Sequence, residues 1–151
     1  MIQRIQTVYL ALAFILTLVC LCMQIGTFEP EEMVGNTYMY NLWNKLPDGS
    51  MSFRPWPLFV LLLLSCPLAI LAIFSYKNRP AQIRYCNFCM LLIIAWVVAF
   101  VLYGYVFVDK GVSFTPSFVA GFPIVALIFY YLARRGVIHD EKLVRAADRI
   151  R

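Results

Sequence analysis

Four long stretches of the sequence contain no aspartate, glutamate, lysine, arginine or histidine. They cover residues 7–25, 57–75, 88–108 and 116–133. About 20 apolar residues in a helix are enough to cross the hydrocarbon core of a bilayer, with every backbone hydrogen bond made inside the helix. The pattern therefore predicts an all-α fold. We expect an integral membrane four-helix bundle that forms one domain over residues 1–151.

The composition supports this interpretation. The chain is 62% hydrophobic and only 14% charged, whereas soluble domains carry roughly 25% charged residues. The net charge of +5 would also be compatible with nucleic-acid binding. However, much of the positive charge lies beside the predicted spans, so we expect no nucleic-acid partner.

The basic residues are distributed unequally between the two sides of the predicted bundle. Ten of the 13 lysines and arginines fall in the N-terminal flank, the loop 76–87 and the tail 134–151, which share one side of a four-span chain. Positive residues mark the cytoplasmic side of membrane proteins. Both termini are therefore predicted to be cytoplasmic, with the loop 26–56 outside. The first span is predicted to be an uncleaved anchor, because the small residues of a signal-peptide cleavage site are missing at its exit.

The outer loop contains signals for a β-hairpin. Tyr38, Tyr40 and Leu42 share one side of an extended strand, and residues 46–50, LPDGS, have the composition of a turn. Residues 51–54 could return as a second strand. We expect a small extracytoplasmic hairpin-like loop over residues 26–56.

The tail is predicted to form a separate amphipathic helix. Asp140 is a suitable N-cap, and the apolar face is formed by Leu143, Val144, Ala147 and Ile150. The opposite face is largely basic. Such a helix can lie on anionic lipid or bind a partner protein.

Three prolines lie in or at the start of predicted spans. Pro116 suits a first helical turn, whereas Pro67 and Pro123 lie inside predicted helices and indicate kinks. In a membrane, neighbouring hydroxyls can compensate for a carbonyl freed by proline, and Ser65 is placed to do so.

The spans offer no recognisable chemistry. They contain no acid or base, so we predict no catalytic, cofactor-binding or metal-binding residues. The exception to consider is Cys86 and Cys89, a C-x-x-C pair that would suit a thiol redox enzyme. That mechanism needs a second pair with which to exchange. The Cys86/Cys89 pair is predicted on the cytoplasmic side, and the outer loop has no cysteine. We therefore do not expect an enzyme.

Three segments of the chain resemble a known family. The start MIQRIQTVYLALA, the inner loop YKNRPAQIR and the tail DEKLVRAADRIR are similar, in order and spacing, to an uncharacterised four-helix inner-membrane protein family of the Bacteroidota. That family is described only as a domain of unknown function. The resemblance implies the same topology and a multi-pass location in a bacterial inner membrane. It implies no activity and no catalytic residues.

The same segments contain polar residues that membrane topology alone does not require. We predict that they form a cytoplasmic docking face, in which carboxylates of the tail pair with arginines of the N-terminus and of the inner loop. The candidates are Gln3, Arg4, Gln6, Arg79, Gln82, Arg84, Asp140, Glu141, Arg145, Asp148 and Arg149.

The sequence therefore favours a non-catalytic accessory or scaffold subunit of an inner-membrane complex. Its expected partners are the lipid bilayer and another membrane protein, with no cofactor. The alternative is a binder or transporter of a lipid or small apolar ligand within the helix bundle. That function would need a cavity, which kinks at Pro67 and Pro123 would open.

Overall fold

Four long helices form the frame of the molecule. The structure, a computed structural model, describes residues 2–30, 35–108 and 111–148, with side chains over 5–30, 35–108 and 111–146. The helices are α1 (Ile2–Cys22), α2 (Trp56–Phe74), α3 (Arg79–Val101) and α4 (Phe122–Asp148). Each packs against its sequence neighbours, and α4 closes the ring against α1. This arrangement is the four-helix bundle that the sequence predicts.

The bundle is apolar on the outside. Leu64, Leu91 and Ile128 are all at least half exposed on the outer faces of their helices. Thr17 and Ser65, in contrast, are fully buried and donate hydrogen bonds to carbonyls of their own helices. All four helices have the length and composition needed to cross a membrane. This distribution is the reverse of that in soluble proteins, where large apolar side chains are mostly inside.

The connection between α2 and α3 is shorter than predicted. The sequence predicts a loop over residues 76–87, but α3 already begins at Arg79. Only a 3₁₀ turn (Ser75–Lys77) and Asn78 separate the two helices. At its other end α3 continues as a π-helix over Leu102–Val106. Inside α2, the Ser65 hydroxyl bonds to the carbonyl of Leu62, not to the Leu63 carbonyl that Pro67 leaves free.

The fourth helix corrects two predictions. Pro116 does not open a helix; α4 follows a 3₁₀ turn at Phe118–Gly121, and Pro123 lies in its first turn, where the missing N–H is tolerated and no mid-helix kink results. The predicted break before Asp140 is also absent, because α4 runs without interruption to Asp148. Asp140 is therefore an interior helix residue and not an N-cap.

A five-stranded antiparallel sheet covers one end of the bundle and corrects the all-α prediction. Its strand order is β4-β3-β2-β1-β5, and every neighbouring pair is antiparallel. The strands are β1 (Gly26–Pro30), β2 (Thr37–Met39), β3 (Asn44–Lys45), β4 (Met51–Ser52) and β5 (Val112–Pro116). The fifth strand comes from the connection between α3 and α4. In the sequence it lies two helices after the loop 26–56 in which the hairpin is predicted.

The predicted turn is present at the tip of this sheet. The amide of Leu46 donates to the Ser50 carbonyl at 3.0 Å, and Gly49 adopts a φ of +82°. Such a positive φ favours glycine. The backbone amide and the hydroxyl of Ser50 both donate to Asp48, and these bonds lower the pKa of its carboxyl group. The predicted turn and return strand are therefore confirmed as part of a larger sheet, but the strand that pairs with β4 is β3 (Asn44–Lys45) and not the predicted stretch 38–42.

Asn41 connects the sheet to the bundle. Its side chain is fully buried, and its amide nitrogen donates to the carbonyl of Cys20 at 2.6 Å. The indole N–H of Trp96 donates to the Asn41 amide oxygen at 2.9 Å. In this segment Met39 and Asn41 are therefore the residues that face the bundle, and Tyr38 is exposed on the opposite side. Trp96 has a specific polar partner in addition to its packing.

Phe114 of β5 fixes the sheet against the π-helix. Its ring fits between two glycines: a Cβ atom on Gly26 would lie 2.4 Å from the ring, and one on Gly104 would lie 2.5 Å from it. The ring also contacts Phe28 and Phe100, at centroid distances of 4.9 and 5.6 Å. The two glycines allow an aromatic ring to fill the joint between sheet and bundle.

The substitution Gly104→Ala is expected to destabilise the protein. The added methyl group would overlap the Phe114 ring, and overpacking of this kind costs about 1–3 kcal/mol. Denaturant unfolding of the purified protein in detergent measures the loss. Gly121→Ala is the matched control, since a Cβ atom there meets no heavy atom within 4 Å. Equal stability of the two variants would contradict the role given to Phe114.

Candidate functional site

The end of the bundle opposite the sheet carries most of the predicted docking residues. We call it the polar end. It comprises the first turns of α1, the turn 75–78 with the start of α3, and residues 134–146 of α4. These segments meet there because the four helices alternate in direction.

A buried hydrogen bond connects α1 to α4 at the polar end. The side-chain nitrogen of Gln6 donates to Oδ2 of Asp140 at 2.5 Å, across 134 residues of sequence. Both residues are buried, at 5% and 8% exposure. A hydrogen bond to a carboxylate is stronger than a neutral one, and its loss would leave a buried polar group without a partner. This bond fixes where the end of α4 lies.

Gly136 allows Gln6 to approach α4. A Cβ atom at this position would lie 3.0 Å from Cγ of Gln6 and 3.2 Å from its side-chain nitrogen. Gly136 is one helical turn before Asp140, so the two share one face of α4. Gly136 is not among the residues that the sequence pattern singles out. The available signal was a glycine four residues before an acid, immediately after the basic pair at 134 and 135.

Arg79 connects α3 to the same point. Its Nη1 atom donates to the main-chain carbonyl of Asp140 at 3.4 Å. The predicted network had carboxylates paired with arginines, including Arg84. In the structure the carboxylate of Asp140 bonds to glutamine, and Arg79 bonds to a carbonyl. Arg84 is exposed and makes no hydrogen bond or ion pair with any residue that the structure describes.

Of the other predicted residues, the structure describes the side chains of three. Gln82 is buried on α3, at 3% exposure. Glu141 and Arg145 form an ion pair of 2.5 Å within α4, with the arginine side chain largely exposed. The side chains of Gln3, Arg4 and Asp148, and all of Arg149, lie outside the described part of the chain.

An open groove lies between the α2–α3 turn and α4. Its volume is about 850 Å³. Lys77, Arg79 and Arg145 supply three positive charges, and Glu141 supplies one negative charge that Arg145 already pairs with. Val144 adds an apolar side chain that is 43% exposed. The groove is lined by Tyr76, Lys77, Asn78, Arg79, Pro80, Glu141, Val144 and Arg145. Its chemistry suits the binding of an acidic, partly apolar segment.

The C-x-x-C pair lies away from this groove. Cys86 and Cys89 are free thiols with no exposed surface, inside the apolar cluster between the helices. Cys89 Sγ lies 3.7 Å from the carbonyl of Ser65. Thiol exchange with an external partner requires that its thiol can reach the sulfur, and this packing closes both sulfurs to solvent. Across the described ranges, no group of three His, Cys, Asp or Glu side chains is placed to hold a metal ion.

The comparisons with known proteins identify the family. Residues 2–150 match the family described as Domain of unknown function (DUF4293), and the chain belongs to it. No curated protein matches the sequence. The match confirms the resemblance found in the three segments at the level of the family. The bacterial group stays an implication of that resemblance.

We expect single substitutions of the buried pair to destabilise the protein more than the double substitution. Asp140→Leu leaves the buried Gln6 amide without its acceptor, which lowers the free energy of unfolding by about 1–3 kcal/mol. Gln6→Leu leaves the buried Asp140 carboxylate without its donor. Replacing both with leucine removes the unpaired groups together. Denaturant unfolding of the three variants measures the coupling between the residues.

The matched control is Glu141→Gln, which removes an exposed ion pair on the same helix. Its effect should not exceed about 0.5 kcal/mol. A double variant that loses the sum of the two single losses would show that Gln6 and Asp140 do not act as a pair.

Proposed function

We propose that this member of the DUF4293 family is a non-catalytic accessory or scaffold subunit of a bacterial inner-membrane complex. The observation that carries the proposal is the groove at the polar end. The buried bond between Gln6 and Asp140 holds one wall in place, while Lys77 and Val144 stay exposed to a partner. A preformed surface of this kind binds with little loss of conformational entropy.

The lipid bilayer is the first partner in this proposal. The apolar outer faces of the four helices need an apolar surrounding, and the polar side chains Thr17 and Ser65 are turned inward. Exposed Trp56 at the start of α2 and Tyr76 at its other end suit the two membrane interfaces.

In this arrangement the polar end lies in the cytoplasm and the sheet lies outside. The excess of lysine and arginine at the polar end supports this orientation. Both termini of the chain are then cytoplasmic.

Labelling of single introduced cysteines tests the orientation. In spheroplasts, a membrane-impermeant maleimide should label Ser50→Cys at the exposed hairpin tip. It should reach Lys142→Cys, on exposed α4, only after lysis. The unsubstituted protein gives the background from its own cysteines, of which Cys22 is exposed. The reverse labelling pattern would refute the orientation.

The second partner is an acidic amphipathic segment of another membrane protein. Lys77 and Arg79 present positive charge on one wall of the groove, and Val144 presents an apolar contact on the other. Charge complementarity would select and orient such a segment. Nucleic acid is a poor fit, because it needs a broad basic face and not a short groove beside apolar helices.

A pull-down from native membranes tests this partner. A tag placed after Arg151 should recover a second membrane protein in fixed stoichiometry in mild detergent. Lys77→Glu and Val144→Asp should each lower that recovery roughly tenfold, because a like charge or a buried charge in the groove opposes binding. Both residues are exposed, so stability should be unchanged.

The matched control is Lys45→Glu, an exposed charge reversal in the sheet at the opposite end. It should recover as much partner as the unsubstituted protein. Recovery of the chain alone, or of the same partner by Lys77→Glu, would refute the docking function.

The alternative function, a ligand binder within the helix bundle, has less support. Pro123 lies in the first turn of α4 and does not open the bundle. Pro67 lies inside α2 and is then the one predicted kink that falls within a helix of the described ranges.

A further inference from the structure

The two edges of the sheet differ in length and in charge. β4 is two residues long, with the exposed side chains of Lys45 opposite it and Arg54 just beyond it. β5, at the other edge, is five residues long and has no charged side chain. Proteins keep strand edges from pairing with other chains by making them short or charged. Of the two edges that the structure describes, β5 is therefore the one open to a further strand.

The free backbone groups of β5 belong to Val112 and Phe114. The amide of Ser117 donates to the carbonyl of Ile25 at 2.9 Å, which fixes the alternation of the ladder between β5 and β1. Hydrogen-bonded pairs recur at every second position of an antiparallel ladder, and this leaves Val112 and Phe114 without bonds to β1. Their N–H and C=O groups point to the outer edge, where the described strands provide no neighbour.

A second β5 strand can satisfy these groups. Two such strands overlap over all five residues when they run antiparallel with Phe114 opposite its own copy. Each Phe114 then bonds to the other Phe114, and the N–H of Val112 donates to the carbonyl of Pro116 in the other copy. Pro116 lies at an outward-bonding position, so this register asks for no N–H that proline lacks.

The charge of the strand also suits a second copy. In a two-fold contact the same surface meets itself, so a charged edge would place like charges near each other and be destabilised. The solvent-facing side chains of β5 are those of Ser113 and Thr115, which are exposed and neutral. In the register centred on Phe114 these two residues lie opposite each other. Lys45 and Arg54 would repel their copies at the other edge.

Pairing through β5 leaves both bundles on the same side of the joined sheet. The Phe114 ring faces the bundle, where it contacts Phe100 and fits beside Gly104. Directly paired residues of antiparallel strands point to the same face, so both copies of Phe114 point to bundles on one side. Two copies in one bilayer need this arrangement. This step rests on the membrane insertion in the proposed function.

We propose that the protein forms a two-fold symmetric dimer in which the β5 strands of two copies pair antiparallel and join their sheets into one. Tyr105 supplies apolar surface beside the strand, since it packs edge-on against Phe114 and is 59% exposed. The occupant of this edge is a second copy of the chain. It is distinct from the acidic segment proposed for the groove at the polar end.

Disulfide cross-linking in native membranes tests the pairing. Two differently tagged chains are co-expressed, one with Ser113→Cys and the other with Thr115→Cys, both with Cys22→Ser because Cys22 is exposed. In the assigned register the new cysteines form a non-hydrogen-bonded pair, whose Cα separation of about 4.5 Å permits a disulfide. Oxidation with copper phenanthroline should join the two tags. Met51→Cys, exposed on β4 at the other edge, is the control and should not cross-link.

A proline at position 112 tests the hydrogen bonds themselves. Val112→Pro removes an N–H that β1 does not use, so the fold should be kept. Each copy loses one bond to the other, so co-purification of the two tags in mild detergent should fall roughly tenfold or more. Val112→Thr keeps the N–H and should co-purify as well as the unsubstituted protein.

An exchange of charges gives a second measurement that does not depend on proline. The chain with Ser113→Lys and Thr115→Lys should not pair with itself, and neither should the chain with Ser113→Asp and Thr115→Asp. When the two are mixed, each lysine faces an aspartate and pairing should return. Both positions are exposed, so the substitutions should leave the fold intact.

Three results would overturn the dimer. They are cross-linking that Met51→Cys matches, co-purification that Val112→Pro leaves unchanged, and charge-exchanged chains that do not pair when mixed. A cross-link from Ser113→Cys to a different protein would also overturn it and assign the edge to another chain. Lys77→Glu, at the polar end, should leave the cross-link unchanged. Failure of the docking function is thus distinguishable from failure of the dimer.

Discussion

The side chain of Asn41 holds the two layers of the molecule together. It donates to the end of α1 at Cys20 and accepts from Trp96 of α3, so a single amide between β2 and β3 connects the sheet to two helices. Gln6 has the corresponding role at the polar end, where its amide reaches Asp140. A neutral amide is easier to bury than a charge, and full pairing makes its position specific.

The fold was predictable where its cause is local. Four long apolar stretches without charged residues predict the four helices. The segment LPDGS predicts the turn in which Gly49 takes a positive φ. The sheet was not predictable, because strands of two to five residues have too little periodicity and β1 pairs with residues 112–116, beyond two helices. The sequence predicts a fourth span that ends at residue 133. The apolar stretch does end there, but α4 continues to Asp148.

The candidate site was predictable as a set of residues but not as a set of contacts. Gln6, Arg79 and Asp140 were all selected from their position beside predicted spans, and the structure brings them together. For Asp140 the predicted arginine partner is wrong, because its carboxylate bonds to Gln6 and Arg79 bonds to its main-chain carbonyl. What decides the pairing is the space at Gly136, which admits a glutamine side chain. The sequence does not single out Asn41, because one polar residue in a predicted loop is expected to be solvated until its neighbours are known.

The pairing of β1 with β5 determines the order in which the chain can be completed. A growing chain folds from its N-terminus, so residues 26–30 are made two helices before their partner at 112–116. During that interval one edge of β1 has no neighbour, and an open edge can pair with another chain. Asp140 is synthesised later still, so Gln6 has no hydrogen-bond acceptor at this position until then. The sheet and the polar end are therefore completed only after residues 116 and 140 have been synthesised, and a chain that stops before residue 112 lacks the closing contact at both ends of the bundle.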